Sequence, residues 1–128
     1  MKQIRWLSEI AVLAIHDRLL AEHGGLEGVR DLGLFESAMG RPKNAAAYEK
    51  PTVFDLAALY AHGIAKNHPF NDGNKRTAFM AAYTFLALNG HQLNASEEAA
   101  VSVTVALAKG EIDSAGFSAW LKEESVVL

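Results

Sequence analysis

One short stretch, HPFNDGNKRT at positions 68–77, brings together side chains that are well suited to chemistry. His68 exchanges protons near neutral pH, so it can act as a general base toward a hydroxyl group. Asp72 supplies a carboxylate of the kind that Mg²⁺ binds together with substrate phosphates. Lys75 and Arg76 place two cations directly before an apolar run. Together these residues predict metal-assisted phosphoryl or nucleotidyl transfer to a hydroxyl.

The two cations would lie in the first turn of a helix, where they are unfavourable. Helix N-termini carry a partial positive charge and favour anions, so Lys75 and Arg76 require a negative partner. A loop that enters a helix presents unpaired backbone N–H groups, and Gly73 allows the backbone to approach a ligand closely. A phosphate bound there would accept charge-assisted hydrogen bonds from both cations. Asn74 either donates to this phosphate or holds the loop.

Each of these residues also has a simpler structural explanation when it is taken alone. Asp72 or Asn74 would serve as an N-cap, and Gly73 would be an ordinary turn residue. His68 would be a core histidine, and the two cations would be solvated surface charges. The combination within one short segment favours the chemical interpretation.

Two other motifs fit this segment less well. A P-loop needs a second glycine at a fixed distance before GNK, and Pro69 stands where its strand and loop would be. A zinc site formed by His68 and Asp72 would require a regular helix, which Pro69 and Gly73 disfavour, and no third ligand is evident. We therefore predict neither.

Length and composition indicate one globular domain over residues 1–128. Half of the residues are hydrophobic, 21% are charged and only three are proline, as expected for a compact chain with a real core. The formal net charge of −3 gives no overall basic footprint, so we do not expect direct nucleic-acid binding. The absence of cysteine excludes disulfides, thiolate zinc sites and a cysteine nucleophile.

The N-terminal segment does not fit a signal peptide or a membrane anchor. Its apolar run IAVLAI is only six residues long, and Glu9 interrupts the approach to it. No segment reaches the ~18 apolar residues that a membrane-spanning helix requires. We expect a cytoplasmic protein.

Helical spacing of apolar residues, together with capping residues, predicts about six helices and almost no sheet. Residues 78–88 are apolar or small on every face, which predicts a central helix packed on all sides. The predicted fold is therefore all-α, a compact bundle of about six helices around this central apolar helix. The helices are predicted from Ser8 to Gly24, from Asp31 to near Gly40 and Pro42, from Thr52 to near Asn67, from Lys75 to Asn89, from Ser96 to Gly110 and from Asp113 or Ser114 through Leu121, with a brief extended piece at 91–93.

The motif resembles the signature of the Fic/Doc family, H-x-F-x-[D/E/N]-[G/A]-N-[G/K]-R. The sequence is similar to the death-on-curing (Doc) branch in particular, because it also has GGLEG at 24–28 and GRP at 40–42. The resemblance implies that Phe70 anchors the loop in the core. The other matching positions take the family's roles: His68 as the base, Asp72 as the Mg²⁺ ligand, and Gly73, Asn74 and Arg76 as the phosphate cradle.

One position of the motif, that of Lys75, bears on which group is transferred. Adenylylating members of the family usually have glycine in place of Lys75 and a second arginine in place of Phe79. The lysine goes with ATP bound in the reverse sense, so the resemblance implies transfer of the γ-phosphate. It thus implies a toxin that acts as a protein kinase on a hydroxyl of a translation factor, by family analogy elongation factor Tu. The alternatives are an adenylyltransferase and a non-catalytic co-repressor module that binds an antitoxin.

Two partners follow from the same resemblance. The chain lacks the inhibitory pattern [S/T]-x-x-x-E-[G/N] that many Fic proteins carry, so we expect a separate antitoxin as the inhibitor. In the Doc branch this antitoxin has a disordered tail that folds into a groove between helices. For the target protein we expect docking on residues 41–51, which are predicted to be irregular and are basic at Arg41, Lys43 and Lys50.

Overall fold

The computed structural model describes residues 3–128, and within this range it contains six helices and a sheet of two short strands. The all-α prediction is confirmed. None of the described helices has the length and hydropathy of a membrane-spanning segment. In chain order the elements are α1 (Glu9–His23), α2 (Leu32–Tyr48), α3 (Val53–Asn67), α4 (Asn74–Leu88), β1 (His91–Leu93), α5 (Glu97–Lys109), α6 (Ser114–Glu124) and β2 (Ser125–Val127).

Five of the six helices begin at a side-chain cap. Each cap accepts a hydrogen bond from the backbone N–H three residues later, which satisfies one of the donors that a helix start leaves unpaired. Thr52 and Asp55 form the complete capping box that their spacing predicts. The exception is α4, whose N-cap is Gly73 and has no side chain to cap with. The five capping residues are Ser8, Asp31, Thr52, Ser96 and Asp113.

The core lies around α3 and α4, which pack against each other along their length. The predicted central helix α4 contacts α1, α3, α5 and β1, but Leu88 near its end is exposed. Helix α3 is the more completely enclosed of the two, since it lies between α2, α4, α5 and α6. Its buried residues are Leu56, Ala57, Ala58, Tyr60, Ala61, Gly63, Ile64 and Ala65.

Helix α2 is longer than the sequence predicts. It was expected to end near Gly40 and Pro42, with residues 41–51 irregular, but it continues through Pro42 to Tyr48. Proline removes the hydrogen bond to the carbonyl four residues earlier, which is that of Ala38. Gly63 of α3 packs directly on Ala38, and a Cβ at position 63 would lie 3.0 Å from its Cα. This tight packing and the helix-forming alanines at 45–47 offset the lost bond. The irregularity on which target docking at 41–51 was based is therefore absent from most of that segment.

The small sheet joins two distant parts of the chain. The extended piece predicted at 91–93 is β1, and it pairs antiparallel with β2, so that His91 is opposite Val127. Sequence reasoning did not predict β2, because three residues are too few to show the alternation typical of a strand.

Candidate active site

The motif loop, defined here as residues 68–73, connects the end of α3 with the start of α4. His68 is the C-cap of α3 and adopts the left-handed conformation, with φ 49° and ψ 55°. It is the only non-glycine residue with positive φ in the described part of the chain. Such a conformation is uncommon for a residue with a Cβ, so the surrounding contacts must maintain it.

Phe70 anchors the motif loop in the core, as the family resemblance implies. Its side chain is 1% exposed. The ring stacks on that of His16 at a centroid distance of 3.8 Å and packs at a tilt against Phe35. His16 is itself buried, and its Nε2 donates to the carbonyl oxygen of Asp72 at 2.8 Å. A single side chain from α1 therefore contacts two residues of the loop.

Asn74 holds the motif loop through its side chain. The side-chain Oδ1 accepts a hydrogen bond from the Phe70 N–H at 3.0 Å, and Nδ2 donates to the Phe70 carbonyl at 2.9 Å. Both bonds are buried, and Asn74 is 6% exposed. Of the two roles left open by the sequence, the side chain performs the loop-holding one. Any phosphate contact of Asn74 is then left to its backbone N–H.

The ring of His68 is exposed at the end of α3, where it can meet a second protein. Its Nδ1 lies 3.4 Å from Nδ2 of Asn74. The Asn74 amide nitrogen can only donate, so Nδ1 is the unprotonated nitrogen whenever this contact is made. The neutral ring then carries its proton on Nε2, and Nδ1 becomes available to accept a proton, as a general base requires, when this long contact to Asn74 opens.

Asp72 has one carboxylate oxygen fixed and one without a partner among the described residues. Its Oδ2 accepts a hydrogen bond from the Leu26 N–H at 2.6 Å. Gly25 makes this approach possible, because at its φ of 126° a Cβ would lie 3.1 Å from the Cβ of Asp72. Residues 3–128 contain no group of three or more His, Asp or Glu side chains that could bind a metal. A single available carboxylate oxygen suits Mg²⁺, which completes its coordination with phosphates and waters, and does not suit zinc.

The start of α4 has the features of an anion site. Gly73 is left-handed with φ 80°, and the first backbone bond of the helix runs from the Thr77 N–H to the Gly73 carbonyl. The backbone N–H groups at 74–76 therefore precede the helical ladder. Lys75 and Arg76 are exposed, and all the ion pairs of the described residues lie on α1. The unfavourable cations predicted from the sequence are thus present without a protein partner in this range.

The segment that holds the motif loop in place was not predicted from the sequence. We call residues 24–31 the clamping turn. The backbone of Val29 in this turn forms an antiparallel bridge with that of Phe70 in the motif loop, and the Asn71 N–H donates to the carbonyl of Gly28. Its glycines were interpreted only as a helix stop and as part of the family resemblance. Three glycines with positive φ within five residues are a signal of close backbone packing that could have been used.

The motif loop lies at the surface of the protein, with His68, Asn71 and Asp72 exposed. A hollow of about 310 Å³ lies beside Asp55 and Ser114, and another of about 540 Å³ lies beside Arg5 and His91. Neither is lined by a residue of the motif. Exposed side chains in this position are accessible to a second protein.

The chain is similar to known proteins of one family. The family model described as "Fic/DOC family" matches residues 6–86. The "Protein kinase doc" of Escherichia phage P1 is 42% identical over 110 residues, which cover 85% of this chain and 86% of that protein. The "Toxin Doc" of Mycolicibacterium smegmatis is 48% identical over 75 residues, covering 56% of this chain and 57% of that protein.

Proposed function

The chain belongs to the Fic/DOC family, on its Doc branch, and we propose that it is the toxin of a toxin–antitoxin system and a Mg²⁺-dependent protein kinase. The names of its relatives, "Protein kinase doc" and "Toxin Doc", support this proposal. The observation that carries it is the motif loop. It brings an exposed histidine, a carboxylate with one unpartnered oxygen and an uncapped cationic helix start into one surface site.

In the proposed reaction His68 accepts the proton of an acceptor hydroxyl. The hydroxyl oxygen forms a bond to the γ-phosphorus of ATP while the bond between that phosphorus and the β–γ bridging oxygen breaks, and ADP leaves. Asp72 would hold Mg²⁺, which when bound neutralises phosphate charge. Lys75 and Arg76 donate to the phosphates, together with the backbone N–H groups at 74–76.

Lys75 is the residue that favours transfer of the γ-phosphate over transfer of AMP. It stands where adenylylating members of the family usually have glycine, and its cation adds to the start of α4. By the same family analogy, we propose that the acceptor is a hydroxyl of a translation factor, elongation factor Tu, in the cytoplasm. The proposed inhibitor is a cognate antitoxin whose disordered tail binds in a helical groove.

A labelling experiment tests the proposed activity. The protein is incubated with a bacterial lysate, Mg²⁺ and γ-labelled ATP, and labelled proteins are separated by size. We expect the wild type to label a lysate protein and His68→Ala to lose this labelling, because the base is removed while an exposed ring contributes little to folding. His23→Ala, an exposed histidine on α1, is the matched control and should label normally.

A binding experiment tests the metal and nucleotide site separately. We expect Mg²⁺-dependent binding of ATP in calorimetry, weakened by Asp72→Asn and retained by Asp17→Asn, an exposed aspartate on α1. If neither nucleotide binding nor label transfer is observed, the motif would be structural, and the protein would act as a non-catalytic module that binds an antitoxin.

A further inference from the structure

Arg30 of the clamping turn contacts the backbone at the proposed base. Its Nε donates to the carbonyl oxygen of His68 at 2.7 Å, and its Nη2 donates to that of Asn67 at 3.0 Å. These carbonyls lie at the end of α3, where the last C=O groups of a helix have no helical donor. A planar guanidinium can bind both at once, and its positive charge complements the negative end of the helix dipole.

We propose that Arg30 is a positioning residue that holds His68 in its left-handed conformation for proton transfer. This inference rests on the proposed function, in which His68 is the base. The guanidinium fixes the carbonyls of two successive peptide groups, so it restricts the backbone angles of His68 directly. Those angles set the direction in which the imidazole leaves the chain.

The side chain of Arg30 has this role in addition to the backbone bonds of its turn. The backbone N–H of Arg30 donates to the Pro69 carbonyl at 2.6 Å, and the N–H of Asp31 donates to the same oxygen at 3.1 Å. These bonds do not involve the guanidinium, so Arg30→Ala retains them. The clamping turn thus remains attached to the motif loop while His68 loses the contact that fixes it.

The need for such a contact follows from the other contacts of His68. The residue is exposed, and within residues 3–128 its side chain makes the long contact of 3.4 Å to Asn74. No ring packing in the described residues includes His68, in contrast to Phe70 and His16. The imidazole is therefore held mainly through its backbone, and Arg30 provides two of the hydrogen bonds there.

The test compares kinetics of Arg30→Ala and Arg30→Lys with those of Arg18→Ala, a control that removes an exposed arginine from α1. Label transfer from γ-labelled ATP to lysate protein is measured as a function of ATP concentration. We expect Arg30→Ala to lower kcat by about 100-fold, the size of loss that a 1 Å misplacement produces, with KM for ATP unchanged. Arg30→Lys should recover part of the rate, because an ammonium group can bind one carbonyl but not fork across two.

An NMR measurement separates this inference from the proposed function. The ¹³Cα and ¹³Cβ shifts of His68 report its backbone conformation in the free protein, without any activity. We expect them to move in Arg30→Ala and to stay unchanged in Arg18→Ala. Unchanged shifts in Arg30→Ala, or a kcat equal to that of Arg18→Ala, would overturn the inference. Absence of label transfer by the wild type would instead refute the proposed function, and a rise in KM would assign Arg30 to nucleotide binding.

Discussion

Replacement of Asn74 by alanine tests how the motif loop is held. The substitution removes the acceptor of the Phe70 N–H and the donor to the Phe70 carbonyl, both in a buried environment. A buried polar group left without a partner costs about 1–3 kcal/mol. Because the loop lies near the surface and water can reach part of it, we expect a loss of about 3 kcal/mol for the two groups together.

This loss can be converted into a melting temperature. Unfolding entropies of about 2.1 cal/mol/K per residue correspond to about 0.27 kcal/mol/K for a chain of 128 residues. A loss of about 3 kcal/mol then lowers Tm by about 11 °C, which circular dichroism during heating measures directly. Asn71→Ala is the matched control in the same loop. It removes one exposed bond, to the Glu27 carbonyl, and should cost less than about 1 kcal/mol.

One outcome would refute this account of Asn74. If Asn74→Ala melts within a few degrees of Asn71→Ala but no longer binds ATP, the side chain acts on the ligand rather than on the loop. The phosphate-binding alternative would then be correct for the side chain as well as for the backbone.

Two further predictions concern His62 of α3 and Gly25 of the clamping turn. The pKa of His62 lies below its ordinary value of 6.5. The causes are burial, the Arg41 guanidinium 2.7 Å from Nδ1 of His62, and the nearby charge of Lys66. NMR titration should therefore show a higher pKa for His62 in Arg41→Ala. Because the unfolded chain binds this proton more readily, the wild type should lose stability as pH falls through about 6.5, and the variant should lose less; equal pKa values would contradict this. Gly25→Ala would place a Cβ 3.1 Å from that of Asp72 at a φ of 126°, so it should cost about 1–3 kcal/mol and reduce label transfer. Gly24→Ala also strains the backbone, at a φ of 78°, but its Cβ meets nothing within 4 Å, so it should leave label transfer unchanged; equal effects of the two substitutions on label transfer would refute the role of the contact with Asp72.

The features that could be predicted from the sequence are those encoded locally. Helix starts were predicted well, because a capping side chain and the N–H from which it accepts a hydrogen bond are three residues apart, as at Ser8 and Asp113. The motif was identified for the same reason, since its residues are consecutive. The N-cap that the sequence allowed at Asp72 or Asn74 is not formed, because the N-cap of α4 is Gly73.

The features that could not be predicted depend on contacts between distant residues. The continuation of α2 through Pro42 depends on Gly63, which belongs to a different helix. The clamping turn contacts the motif loop across about 40 positions of the sequence, as Arg30 does with His68. Periodicity contains no information about such pairs, so neither the loop-holding contacts nor the role of Arg30 could be inferred from spacing.

The central claim is that this site transfers the γ-phosphate of ATP to a protein hydroxyl. Its most direct test is a parallel labelling of bacterial lysate with ATP labelled at the α or at the γ position, using the wild type and His68→Ala. We predict that a lysate protein acquires label from the γ position only, and that His68→Ala transfers neither the α label nor the γ label. Label acquired from the α position but not from the γ position would contradict the claim and identify the protein as an adenylyltransferase.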